Sequence, residues 1–91
     1  MFSRAHVKFN GKVQGVFFRA NTERKAIELQ LFGWVKNFED GSVQAVFEGP
    51  KNKIQQIIQW CSKDQPYAKV NDVEVTWESY RNEYDEFEIK D

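Results

Sequence analysis

The chain has 91 residues, 41% hydrophobic, 15% aromatic and 30% charged, with a formal net charge of −1. That length fits one domain with a modest core and excludes a two-domain enzyme. No apolar run approaches about 20 residues, the length that spans a bilayer, and no charged-then-apolar leader opens the chain; a lone Cys61 and a lone His6 supply neither an internal disulfide nor a four-ligand zinc site. The expectation is a single cytoplasmic domain over residues 1–91.

Residues 4–10 (RAHVKFN) alternate, with Ala5, Val7 and Phe9 on one face and Arg4, His6, Lys8 and Asn10 on the other, which predicts a half-buried strand. The glycine-punctuated stretch 11–19 (GKVQGVFFR) is too irregular for a strand. Residues 20–32, rich in Glu, Lys, Arg, Ala and Leu, predict a helix capped by Asn21 or Thr22 and closed by Gly33. Residues 34–38 and 42–48 are rich in Val, Phe and Trp, and the Asp40-Gly41 pair between them predicts a hairpin. After Gly49 and Pro50, apolar residues at 54, 57, 58 and 61 form one stripe of a second helix. Residues 72–78 alternate again, with Val73, Val75 and Trp77 inward, and Phe87 with Ile89 predicts a short last strand.

This order predicts an α+β fold, a ferredoxin-like two-layer sandwich (βαββαβ plus a short terminal strand) with two helices on one face of a mainly antiparallel sheet. Alternation leaves the other face polar and wet. The fold hosts many unrelated functions, so activity has to be argued from particular residues.

Charge is unevenly spread: residues 1–36 carry seven Lys or Arg against two Glu, a net +5, while residues 72–91 carry eight carboxylates against two cations, a net −6. The basic third can steer a small anion, and the acidic tail reads as a solvated surface. Within the basic third, Gly11 and Gly15 bracket a strand-to-helix loop whose N–H groups can converge at the positive end of the helix dipole. Arg19, in the first turn, adds a planar fork of donors matched to phosphoryl oxygens. The plain alternative is a glycine-assisted turn with a solvated arginine. Neither GxGxxG nor GxxxxGK[ST] is present.

Asn37 stands near the end of a strand that otherwise contains Trp34, Val35 and Phe38, a place where strand propensity disfavours asparagine. Its carboxamide can orient a water molecule, or it can cap the turn by bonding its own backbone. His6 reads as a surface residue, Cys61 as core, and Asp40 as a turn residue or an acid-base group. No serine has a histidine-carboxylate pair that the sequence can reveal, which makes a nucleophilic triad improbable.

Together, GKVQGVFFR at 11–19 and GWVKNFEDGSVQAVFEG at 33–49 closely resemble the two signature motifs of the acylphosphatase family, at matching spacings and over essentially the whole chain. The resemblance implies hydrolysis of acyl phosphates to a carboxylate and inorganic phosphate. It implies that backbone N–H groups of Gln14, Gly15, Val16, Phe17, Phe18 and Arg19 cradle the phosphoryl group, that the Arg19 side chain binds it, and that Asn37 positions the attacking water. Phe17 fills a variable site where some members carry glycine or a small residue, and Ser42, a supporting residue, stands where many have threonine and keeps the hydroxyl. The leaving carboxylate has a conjugate acid with a pKa near 4, so no general acid is required. Amide donors and one arginine suit a loose phosphoryl-transfer transition state. No metal and no cofactor are expected; the expected partners are a small-molecule acyl phosphate and inorganic phosphate, with no nucleic acid and no membrane, and the expected state is a monomer. Two rival readings are a binding module of the same fold without useful turnover, and a nucleic-acid-binding sandwich in which Phe17, Phe18, Trp34 and Phe38 stack bases.

Overall fold

In a computed structural model describing residues 1–91, seven elements follow in order: β1 (Phe2–Lys12), α1 (Phe18–Glu28), β2 (Phe32–Asn37), β3 (Val43–Pro50), α2 (Lys51–Lys63), β4 (Lys69–Glu78) and β5 (Phe87–Lys90). The sheet order is β4-β1-β3-β2-β5, and every pairing is antiparallel except the parallel β2–β5 pair. The chain has the ferredoxin-like α+β architecture that the pattern of elements predicts.

The alternation in β1 sets the core. Ala5, Val7 and Phe9 are fully buried and lie in one cluster with Val35, Val43, Ala45 and Phe47 of the sheet and Phe18, Ala26, Ile54, Ile57 and Cys61 of the helices. Burying such side chains stabilises by about 1.5–3 kcal/mol for each large one. Helix α2 follows its predicted stripe, with Ile54, Ile57 and Cys61 buried.

Helix α1 departs from expectation at both ends. It starts at Phe18, after Phe17 in the left-handed region, and its inward stripe is Phe18, Asn21, Thr22 and Ala26. Asn21 and Thr22 are therefore interior helical residues, not caps. Their side-chain oxygens are satisfied: Arg24 Nη2 donates to Asn21 Oδ1 at 2.7 Å, and Gln65 Nε2 donates to Thr22 Oγ1 at 3.1 Å. The helix closes through Gln30, at φ 58°, with Gln30 N–H bonded to the Ile27 carbonyl and Leu31 N–H to that of Ala26. This is a Schellman motif, and Gly33 lies inside β2 instead of closing the helix.

Val75 and Trp77 share the inward face of β1, paired with Val7 and Ala5, yet remain 37% and 40% exposed. Their strand is the sheet edge, and α2 covers it incompletely.

The opposite face is less wet than alternation suggests. β4 and β5 are the two edges, so residues 79–86 must cross four strand spacings, about 19 Å, within the reach of an extended eight-residue segment. That crossing covers Glu48 (0% exposed), whose carboxylate accepts the N–H groups of Arg81 and Glu83 at 3.0 Å each and Arg4 Nη1 at 3.2 Å. Arg4 also donates to Glu78 at 2.9 Å and to Glu83 at 2.8 Å. Two carboxylates of the acidic tail thus hold a buried arginine and are not merely solvated.

Candidate active site

β1 and β2 both pair antiparallel with β3 and so run parallel to each other. Their carboxyl ends lie at one end of the sheet, where the loop from β1 enters α1 and where Asn37 finishes β2. Residues of this loop, of α1, of β2 and of β5 enclose a cavity of about 280 Å³: Gly15, Phe17, Arg19, Asn37 and Ile89 line it, with Val13, Phe18 and Ala20.

The loop is shaped by two residues in the left-handed region. Gly15 has φ 74° and open space around the position of a Cβ, so glycine is needed there for its torsion and not for room. Phe17 has φ 61° and ψ 22°. No backbone hydrogen bond engages the N–H of Gly15, Val16 or Phe17, and the first amide bonded at the start of α1 is Asn21, donating to the Phe17 carbonyl at 3.0 Å. Amides left free at a helix N-terminus, with the dipole behind them, suit an anion. Gly11, in contrast, belongs to β1, at a bulge against β4, and the loop proper begins beyond Lys12.

Arg19 is half-buried and forms no ion pair within the chain. The Asn37 side chain makes no hydrogen bond to the protein, and the turn-capping role belongs to Asp40 instead. Asp40 Oδ1 accepts the Ser42 hydroxyl at 2.6 Å and the Ser42 N–H at 2.9 Å, and Asp40 Oδ2 lies 3.2 Å from Lys8 Nζ. The Ser42 hydroxyl, then its N–H, then Lys8 hold the Asp40 carboxyl down at about 2. Such a carboxylate is a weak base at neutral pH.

The structure gathers Gly15, Phe17, Phe18, Arg19 and Asn37 around the cavity. Val16 turns into the core, and Ser42 is buried against Asp40 beside the turn. Gln14 has a part that sequence reasoning missed: its Nε2 donates to the carbonyls of Phe38 and Ser42 at 2.8 and 2.9 Å, joining the loop to the hairpin. A polar residue in the apolar run VQGV was the only sequence signal for it. His6 sits on the opposite face, with Nε2 2.8 Å from Gln44 Oε1 and its ring edge-on to Trp34. Burial pushes the Cys61 thiol up to about 11, which leaves it inert. No helix is long and apolar enough to cross a membrane.

The acylphosphatase family model matches residues 5–89. The chain belongs to the acylphosphatase family. An acylphosphatase from Syntrophobacter fumaroxidans is 48% identical over 86 residues, covering 94% of this chain and 89% of that one. One from Pelotomaculum thermopropionicum is 42% identical over 87 residues, covering 96% and 95%. The crystal structure of acylphosphatase from Bacillus subtilis superposes with a TM-score of 0.92 at 34% identity, covering 99% of each chain. As an acylphosphatase, this chain is a hydrolase acting on acyl phosphates.

Proposed function

We propose that the cavity binds the phosphoryl group of an acyl phosphate, with the N–H groups of residues 14–19 and the Arg19 guanidinium on its non-bridging oxygens and the Asn37 carboxamide on the attacking water. One observation carries this reading: Arg19 and Asn37, from different elements, line one small cavity with neither side chain engaged by the rest of the chain. Water oxygen bonds to phosphorus as the bond from phosphorus to the acyl oxygen breaks, and its electron pair leaves with the carboxylate. The water proton passes to a phosphoryl oxygen of the substrate. Asn37 orients and does not deprotonate, and neighbouring Asp40 is too weak a base to replace it. Catalysis then consists of positioning and charge stabilisation, for which no metal is required. We place the activity in a single cytoplasmic, monomeric domain over residues 1–91, with no nucleic-acid or membrane partner.

The test is the hydrolysis rate of benzoyl phosphate with a chelator present, for wild type, Arg19→Ala and Asn37→Ala. Chelator-resistant turnover, lost in both variants while Asn37→Ala still binds inorganic phosphate, is expected. Arg19-dependent phosphate binding without wild-type turnover would instead identify a binding module.

A further inference from the structure

The mouth of the cavity is apolar where the variable half of the substrate must lie. The Phe17 ring is 74% exposed, outside the hydrophobic core, and Ile89 on β5, 37% exposed, borders the same cavity. A bulky residue in the left-handed region is a conformation that persists only where its surroundings or its use maintain it. Packing gives no reason for a ring at this position.

Phosphoryl transfer puts the attacking and leaving oxygens roughly in line across phosphorus. With the water held by Asn37 at the end of β2, the acyl group points away from Asn37, toward the cavity mouth and solvent, where Phe17 and Ile89 are exposed. A neighbouring cleft of about 600 Å³ beyond Asn37 is a poorer candidate, because Glu39, Asp40 and Asp91 line it against one lysine, Lys36. Three carboxylates there repel an anionic substrate and suit water instead.

We propose that Phe17 and Ile89 form an acyl subsite that selects acyl phosphates with aromatic or bulky apolar acyl groups over acetyl phosphate. The inference rests on the phosphoryl site proposed above. An exposed ring offers an acyl aromatic group stacking or edge contacts, and both side chains gain by covering apolar surface. A methyl group offers little surface for either.

The test compares kcat/KM for benzoyl phosphate and acetyl phosphate in wild type, Phe17→Ala and Ile89→Ala. Alanine rather than glycine at position 17 keeps a Cβ on the left-handed residue, so the loop is not also relaxed. The ratio of the two kcat/KM values cancels any loss that both substrates share through the loop. Phe17→Ala is expected to lower the benzoyl-to-acetyl ratio on the order of tenfold, the factor given by about 1.4 kcal/mol of lost contact, and Ile89→Ala to lower it severalfold. An unchanged ratio in both variants overturns the subsite. A wild type inactive on both substrates overturns the phosphoryl-site reading itself, a different and distinguishable result.

Discussion

Gln14 Nε2 donates to the Phe38 carbonyl at 2.8 Å, and through this bond and its twin to Ser42 the loop that enters α1 is tied to the turn that follows Asn37. Gln14→Leu removes both bonds; the Phe38 carbonyl keeps the Gly41 N–H and the Ser42 carbonyl keeps the Phe38 N–H, so the hairpin stays closed while the loop becomes free to shift relative to it. Small misplacements of reacting groups cost about 10²-fold, so kcat/KM for benzoyl phosphate should fall about 10- to 100-fold, with a weaker inhibition constant for inorganic phosphate. Gln14→Glu should be at least as damaging, because a carboxylate can only accept and would face two carbonyl oxygens. Wild-type kinetics in Gln14→Leu would show that the bridge positions nothing.

Arg19→Lys separates charge from geometry. Lysine keeps the positive charge but replaces a planar fork by a flexible point charge, which cannot engage two phosphoryl oxygens in parallel. Arginines facing a transferring phosphoryl group are worth about 10³-fold or more, and Arg19→Lys should recover little of the loss seen in Arg19→Ala. Substantial recovery in steady-state rates would mean that Arg19 acts by charge alone.

Asp40 supplies a pH signature. Its folded pKa, about 2, lies below the ordinary 3.8, so its contribution is fully present above the ordinary value and is lost as the pH falls through the folded one. In Ser42→Ala the hydroxyl donor is gone, and the carboxyl should titrate closer to its ordinary value in an NMR pH series. The stability difference between Ser42→Ala and wild type should close as the pH drops from about 4 toward 2. An unmoved Asp40 titration would assign the shift to the backbone N–H and Lys8.

The order of elements and the core face of β1 were legible because alternation and the Asp40-Gly41 turn are short-range signals. The start of α1 was not, since two of its inward positions are Asn21 and Thr22, whose polarity reads as capping when the partners Arg24, Cys61 and Gln65 are unknown. The candidate residues Arg19 and Asn37 stood out by type and motif, but their meeting in one cavity depends on β1 and β2 running parallel around β3. Gln14 and Glu48 were illegible for a similar reason: their partners lie 24 or more residues away along the chain. The role of residues 79–86 follows from sheet order, which local pattern does not encode.

Glu48 offers a test of that crossing segment, remote from the cavity. Both of its oxygens accept, from Arg4 and the N–H of Arg81 on one side and from the N–H of Glu83 on the other. Glu48→Gln keeps the shape but turns one oxygen into a donor, which must oppose at least one N–H and leaves the buried Arg4 less well paired. Breaking a buried pair in this way costs on the order of 3 kcal/mol, read as a lower urea midpoint, while activity is retained because the carboxylate lies on the face away from the helices. Burial alone would raise the Glu48 pKa, but the two N–H groups and Arg4 outweigh it and the net direction from the ordinary 4.5 is down. Its stabilisation is therefore fully present above 4.5 and is lost as the pH falls through the lower folded value, so wild type should lose stability toward acid more steeply than Glu48→Gln. Parallel acid profiles for the two proteins would mean that Glu48 does not carry the charge that pins residues 79–86 across the sheet.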